Sequence, residues 1–179
     1  MSQSATLYRI TKENFHKIEK REARHVIPSE ITEGDVTFQG TFMGLEAILS
    51  KCVKDFDREL IFEIFNPSQY IGPTDSNIFN LDSDEDEQFS EIESAVGYLP
   101  PSRVKKISSL LNNIEESLVS NNYNSEELNA DGIYPGCWQD DDEAGNVFNK
   151  RQILEDFALL KGVFQAAFQQ ENYILSYVG

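Results

Sequence analysis

The C-terminal part of the chain joins a long amphipathic helix pattern to an apolar strand, and this pairing constrains the fold most strongly. From Lys150 to Gln170 apolar residues recur every three or four positions, which is the spacing of one helix face. Asn172 then favours a left-handed end to the helix, and Tyr173–Val178 (YILSYV) is apolar enough for a strand in the middle of a sheet. The chain therefore predicts a helix packed on a sheet. The expected core face of this helix comprises Ile153, Phe157, Leu160, Phe164, Ala167 and Phe168.

Alternating and helical patterns in the rest of the chain extend this prediction. Ser4–Ile10 and Asp35–Gln39 alternate as strands do, and Thr11 precedes a helix that carries Phe15. Thr41 begins a helix that ends near Cys52. Residues 56–65 fit either a buried strand, through the apolar run LIFEIF, or a helix, and the helical spacing is favoured.

The clearest internal helix is predicted to begin at Pro100 and Pro101, because the first turn of a helix tolerates proline. Its apolar stripe is formed by Val104, Ile107, Leu111, Ile114 and Leu118. Together these elements predict one α+β domain over residues 1–179. A small mixed sheet, including the N- and C-terminal strands, would pack against several helices.

Charge is the next constraint, and it concerns partners. The chain has 31 Asp and Glu residues against 15 Lys and Arg residues, a formal net charge of -16. Binding to nucleic acid or to an anionic membrane depends on basic surface, so neither partner is expected. The charge is compatible with a basic protein or a cation as partner, and it is equally compatible with a surface that only keeps the protein soluble. The predicted acidic patch combines a loop at about 75–93 with a later acidic stretch, through Asp82, Asp84, Asp86, Glu87, Asp140, Asp141 and Asp142.

The acidic loop also resembles a calcium-binding loop. Asp82, Asp84, Asp86 and Glu93 stand at relative positions 1, 3, 5 and 12, where a helix–loop–helix calcium site carries carboxylates. Position 6, where that site needs glycine, is Glu87. A calcium site and a solvated acidic run that matches by chance are both open readings.

Catalytic and cofactor patterns do not occur in the sequence. There is no glycine-rich phosphate loop, no zinc-ligand spacing and no nucleophile motif. The sequence therefore favours a protein without catalysis and without a cofactor. The N-terminus lacks the apolar core of a signal peptide, and the two cysteines, Cys52 and Cys137, do not form a disulfide framework. A cytoplasmic location is expected, and pairing of the two thiols is left open.

Several short motifs together resemble the YfbM-like family of small bacterial proteins, which is classed as a domain of unknown function. These motifs, in chain order, are Gly44-Leu45-Glu46 with Ile48-Leu49, Tyr98-Leu99-Pro100 with Val104 and Ile107, Ile133-Tyr134-Pro135 with Trp138, and the final helix and strand. The resemblance spans nearly the whole chain. It implies an α+β fold and a bacterial cytoplasmic setting, and it implies no established activity.

Three departures from the family pattern are visible. Glu46 stands where many members carry histidine, Phe42 stands where many carry tryptophan, and the acidic loop replaces a shorter glycine-rich connection. Tyr134 and Trp138 are either core aromatics or the floor of a ligand pocket with Glu46 as its polar anchor. The sequence thus leaves three functions open: an acidic interaction factor of inhibitor or immunity type, a small-ligand or enzymatic pocket, and a calcium-binding loop.

Overall fold

A five-stranded antiparallel sheet organises the fold. The computed structural model describes residues 3–19, 32–71, 96–140, 143 and 145–179. The strands are β1 (Ser4–Ile10), β2 (Thr32–Gln39), β3 (Gln69–Ile71), β4 (Val96–Leu99) and β5 (Tyr173–Val178), in the order β2-β1-β5-β4-β3. The predicted α+β class and the central C-terminal strand are confirmed. The pairings are all antiparallel instead of mixed, since β5 runs against both of its neighbours.

Seven α-helices occur in the described residues: α1 (Lys12–Glu19), α2 (Phe42–Cys52), α3 (Arg58–Phe62), α4 (Pro101–Asn112), α5 (Glu116–Asn122), α6 (Ser125–Ala130) and α7 (Lys150–Gln169). The segment 56–65, predicted as one helix, forms instead a 3-10 turn at Asp55–Asp57 and the short α3. The second strand is longer than the sequence indicated, because it begins at Thr32.

Both faces of the sheet are covered, and strand alternation decides which side chain meets which layer. In β1, Ala5 and Leu7 enter a large core that also contains buried residues of α2, α4 and α7. Ile10 points to the opposite face, where α1 packs through Phe15. The Phe15 ring stacks on Tyr173 with centroids 3.9 Å apart and planes within 8°. Within the described residues, the sheet is therefore a central layer between a large helical side and the short helix α1.

The final helix buries the predicted residues except Phe168, which is 44% exposed. Asp156 and Val163 are buried instead, so the buried stripe is centred further to one side and leaves Phe168 at its margin. The left-handed residue after the helix is Glu171, with φ 52°, and not Asn172 as predicted. Asn172 itself is buried at the entry to β5.

The predicted helix from Pro101 through Leu118 is broken in two. It ends at Asn112, the first of two adjacent asparagines, a residue type that disfavours helix interiors, and Ile114 is buried in the turn that follows. The break reorients α5, so Val119 faces the core and Leu118 is 40% exposed. The apolar period of α4 therefore does not continue in register into α5.

Candidate functional site

Trp138 is a core residue held against α2. An ideal Cβ built on Gly44 would lie 2.3 Å from Cη2 and Cζ2 of the indole, so only glycine allows this approach. The indole Nε1–H donates to the carbonyl of Ile133 at 3.0 Å, and Asn129 bonds both backbone groups of Trp138. With 4% exposure, Trp138 fills space and satisfies its polar atom inside the fold.

Tyr134 lies in the same aromatic region, half-buried and next to a cis Tyr134–Pro135 peptide bond. Its hydroxyl accepts a hydrogen bond from the backbone N–H of Gln3 at 3.2 Å. The Phe148 ring is 6.0 Å from the Trp138 ring, and Gly40 lies between Phe148 and Tyr134. The structure therefore brings Tyr134 and Trp138 into one cluster around Phe148.

Glu46 lies on another side of α2. It follows Gly44 by two residues, which turns its side chain about 200° around the helix from the face that meets Trp138. Asn66 Nδ2 donates to the Glu46 carboxylate at 3.3 Å. Burial raises the pKa of Glu46 to about 7, against the lowering effect of the Asn66 hydrogen bond. The structure does not join Glu46 to the aromatic cluster, and a ligand role for the three residues stays a prediction.

A polar cleft of about 300 Å³ lies between α3, the start of α4 and the ends of β3 and β4. Glu63, just after α3, is buried with 6% exposure. The Arg103 guanidinium donates through Nε to Glu63 Oε2 and through Nη2 to Glu59 Oε1 at 3.3 Å. Ser68 Oγ donates to Glu63 Oε1 at 3.2 Å. The hydrogen bond to Glu63 raises the pKa of Arg103 above its already high ordinary value, so the guanidinium is charged at neutral pH.

This cleft is not among the sites that the sequence predicted. One signal was present: Glu63 interrupts the apolar run LIFEIF, and a carboxylate inside an apolar segment needs a buried partner. The identity of the partner could not be read from the chain, because Arg103 is 40 residues away. Only the packing of α3 on α4 brings the two together.

The acidic patch is only partly described by the structure. Asp140 is exposed and accepts a hydrogen bond from Ser125 Oγ at 2.5 Å. The other predicted patch residues lie outside the described residues, as does the proposed calcium set: Asp82, Asp84, Asp86, Glu87, Glu93, Asp141 and Asp142. The described acids between residues 115 and 143 are all exposed, and Glu127 pairs with Lys51 Nζ at 2.6 Å.

The described residues also include side chains that could each ligate a metal ion. None of them forms a cluster of three side chains suited to a metal ion. No described helix has the length and apolar character needed to cross a bilayer. Cys52 and Cys137 are both free thiols, and burial raises the pKa of Cys52.

Comparisons with known proteins agree with this fold. The family model described as "Domain of unknown function (DUF1877)" matches residues 1–177. The crystal structure of YfbM from Escherichia coli, described as a protein of unknown function, superposes with a TM-score of 0.59 at 16% sequence identity, covering 100% of both chains. At this identity the likeness concerns the fold alone. No curated protein sequence matches the chain.

Proposed function

The chain belongs to the DUF1877 family, a family of unknown function, and from its charge we propose that it is a non-catalytic cytoplasmic protein that binds a basic protein. It would act as an inhibitor or immunity-type factor, through the exposed acids between residues 115 and 143. We call this stretch the acidic surface. Binding in this manner needs no cofactor, because recognition depends on complementary charge.

The acidic surface supports the proposal because several of its described acids form no ion pair, although Glu127 pairs with Lys51. The chain has no Lys or Arg between Lys106 and Lys150. Within the described part of the chain, no ion pair is formed by Glu115, Glu116, Glu126, Asp131 or Asp140. Concentrated charge of one sign raises the rate at which an oppositely charged partner is captured. This uncompensated, solvent-facing charge is the observation that carries the proposal.

The test uses the tagged full chain as bait in native lysate, with a neutralised triple variant beside it. The variant is Glu116→Gln, Glu126→Gln and Asp131→Asn, all exposed positions whose change leaves the core intact. The matched control removes three exposed acids elsewhere. These are replaced as Glu33→Gln, Asp35→Asn and Glu171→Gln.

We expect wild type and control to retain the same basic protein at low salt and to release it as salt rises. The neutralised variant should associate with the purified partner about tenfold more slowly. Failure to recover a partner at low salt would refute the proposal. So would a partner that the neutralised variant binds as fast as wild type does.

A further inference from the structure

The cleft between α3 and α4 has walls of opposite charge. On one wall Glu59 and Glu63 are one helical turn apart, and on the other Arg103 and Lys106 are also one turn apart. The rest of the lining is formed by Ser68, Gln69, Tyr98, Leu99, Pro100 and Ser102. A site with two acids on one side and two bases on the other is locally neutral, although the whole chain carries a net charge of -16.

The inner part of the cleft is already satisfied by the protein itself. Both carboxylate oxygens of Glu63 accept hydrogen bonds, one from Arg103 and one from Ser68. Burying such a pair costs desolvation energy, which a packed apolar pair would avoid. Glu63 and Arg103 therefore form the fixed base of the cleft, and a ligand would meet the groups further out.

Two charged side chains remain available at the mouth. Glu59 is 76% exposed and only shares Arg103 with Glu63. Lys106 is exposed, and no ion pair involving it occurs among the residues that the structure describes. It follows Ser102 by one turn on α4. Pro101 has no N–H, and the N–H groups of Arg103 and Val104 donate to the Pro100 carbonyl, so the Ser102 N–H is the one donor of this turn left without a bond in the described part of the chain. The mouth thus presents an acceptor on one wall and donors on the other.

Charge decides which small molecules suit this arrangement. A simple anion would be repelled by the net charge of the protein, and Glu59 would oppose it locally. A simple cation would find many other acids on the surface and would meet Lys106 here. A molecule with one charge of each sign satisfies both walls at once. A cleft of about 300 Å³ is at the lower end of the range of ligand sites, so the molecule must be small.

We infer that the cleft binds a small zwitterion of the α-amino acid type. Its carboxylate lies at Lys106 and the first turn of α4, and its ammonium group lies at Glu59. This inference is independent of the acidic surface, because the two sites share no residue. With this site, the protein would bind a small molecule in addition to the proposed basic protein.

The test titrates the full chain with three matched probes: L-alanine, N-acetyl-L-alanine, which lacks the ammonium charge, and L-alaninamide, which lacks the carboxylate. Backbone amide signals of Gln69, Ser102 and Lys106 in two-dimensional NMR spectra report binding at the cleft. Each lost charge removes one charge-assisted hydrogen bond, so both derivatives should bind about tenfold more weakly.

Two variants at exposed positions localise each contact, and glutamine at position 59 keeps an oxygen that can accept from Arg103 Nη2. In Lys106→Met, L-alanine should no longer bind more tightly than L-alaninamide. In Glu59→Gln, L-alanine should no longer bind more tightly than N-acetyl-L-alanine. Lys105→Met, one position away and outside the cleft lining, should change neither ratio. The inference is overturned if no probe shifts the cleft signals. It is also overturned if a singly charged derivative binds as tightly as L-alanine.

Discussion

Replacement of Arg103 by methionine is expected to destabilise the protein through the carboxylate that it leaves behind. Glu63 is 7% exposed at its side chain, and its Oε2 accepts from Arg103 Nε. Methionine is close to the aliphatic part of arginine in length, so the variant removes the charge and the donors while it keeps much of the packing. Glu63 would then be a buried carboxylate with Ser68 as its remaining donor.

The magnitude follows from these contacts. Removing one partner of a buried ion pair costs about 3–5 kcal/mol. Arg103 is 27% exposed, and Ser68 still donates in the variant, so we expect the low end, about 3 kcal/mol. For a chain of 179 residues, this free energy corresponds to a fall in Tm of about 6–12 °C.

The assay is urea unfolding followed by circular dichroism, arranged as a double-mutant cycle with Glu63→Leu. The double variant should recover most of the lost stability, because it has no unpaired charge to bury. Lys105→Met, an exposed neighbour, should stay within about 0.5 kcal/mol of wild type. A cost below about 1 kcal/mol for Arg103→Met, or additive effects in the cycle, would contradict this account of the pair.

Two further predictions concern α2 and α7. Gly44→Ala should cost about 2–3 kcal/mol in urea unfolding, because the new Cβ would lie 2.3 Å from the Trp138 ring. A Cβ added at Gly162 would have no heavy atom within 4 Å, so Gly162→Ala should instead stabilise α7 by about 1 kcal/mol. Equal changes in stability for the two variants would refute the contact between Gly44 and Trp138. Burial raises the pKa of Glu46 from 4.5 to about 7, so the ionised form is disfavoured in the folded state. Wild type thus loses stability as pH rises from about 4.5 through 7, and Glu46→Gln should gain about 1–2 kcal/mol over wild type above that window and nothing below it. A gain independent of pH would show that burial of the charge is not its source.

Local patterns predicted the elements best where the period was long and uninterrupted. The alternation of Ser4–Ile10 and the apolar run Tyr173–Val178 gave strands at those positions, since each strand alternates or is wholly apolar over its length. The stripe through Leu118 was less reliable, because an apolar period does not show where a chain turns. The helix ended at Asn112, and in the next helix the buried position was Val119 instead of Leu118.

The candidate sites show the same division. The aromatic cluster of Tyr134 and Trp138 was found because the segment that carries it is short and contiguous. Glu46 could not be placed relative to it from the sequence, because that required the rotation of α2 against Trp138. The Glu63–Arg103 pair was missed for a related reason: neither residue is unusual on its own, and their meeting depends on two helices far apart in the chain.

The sequence by itself determined the net charge, the α+β class and the family resemblance. Each of these depends on composition or on residues that are close along the chain. The tertiary structure decided the strand order, the separation of Glu46 from Trp138 and the pairing of Glu63 with Arg103. The physical reason is that burial and electrostatic pairing depend on distances in space, and packing brings together residues that the chain keeps apart.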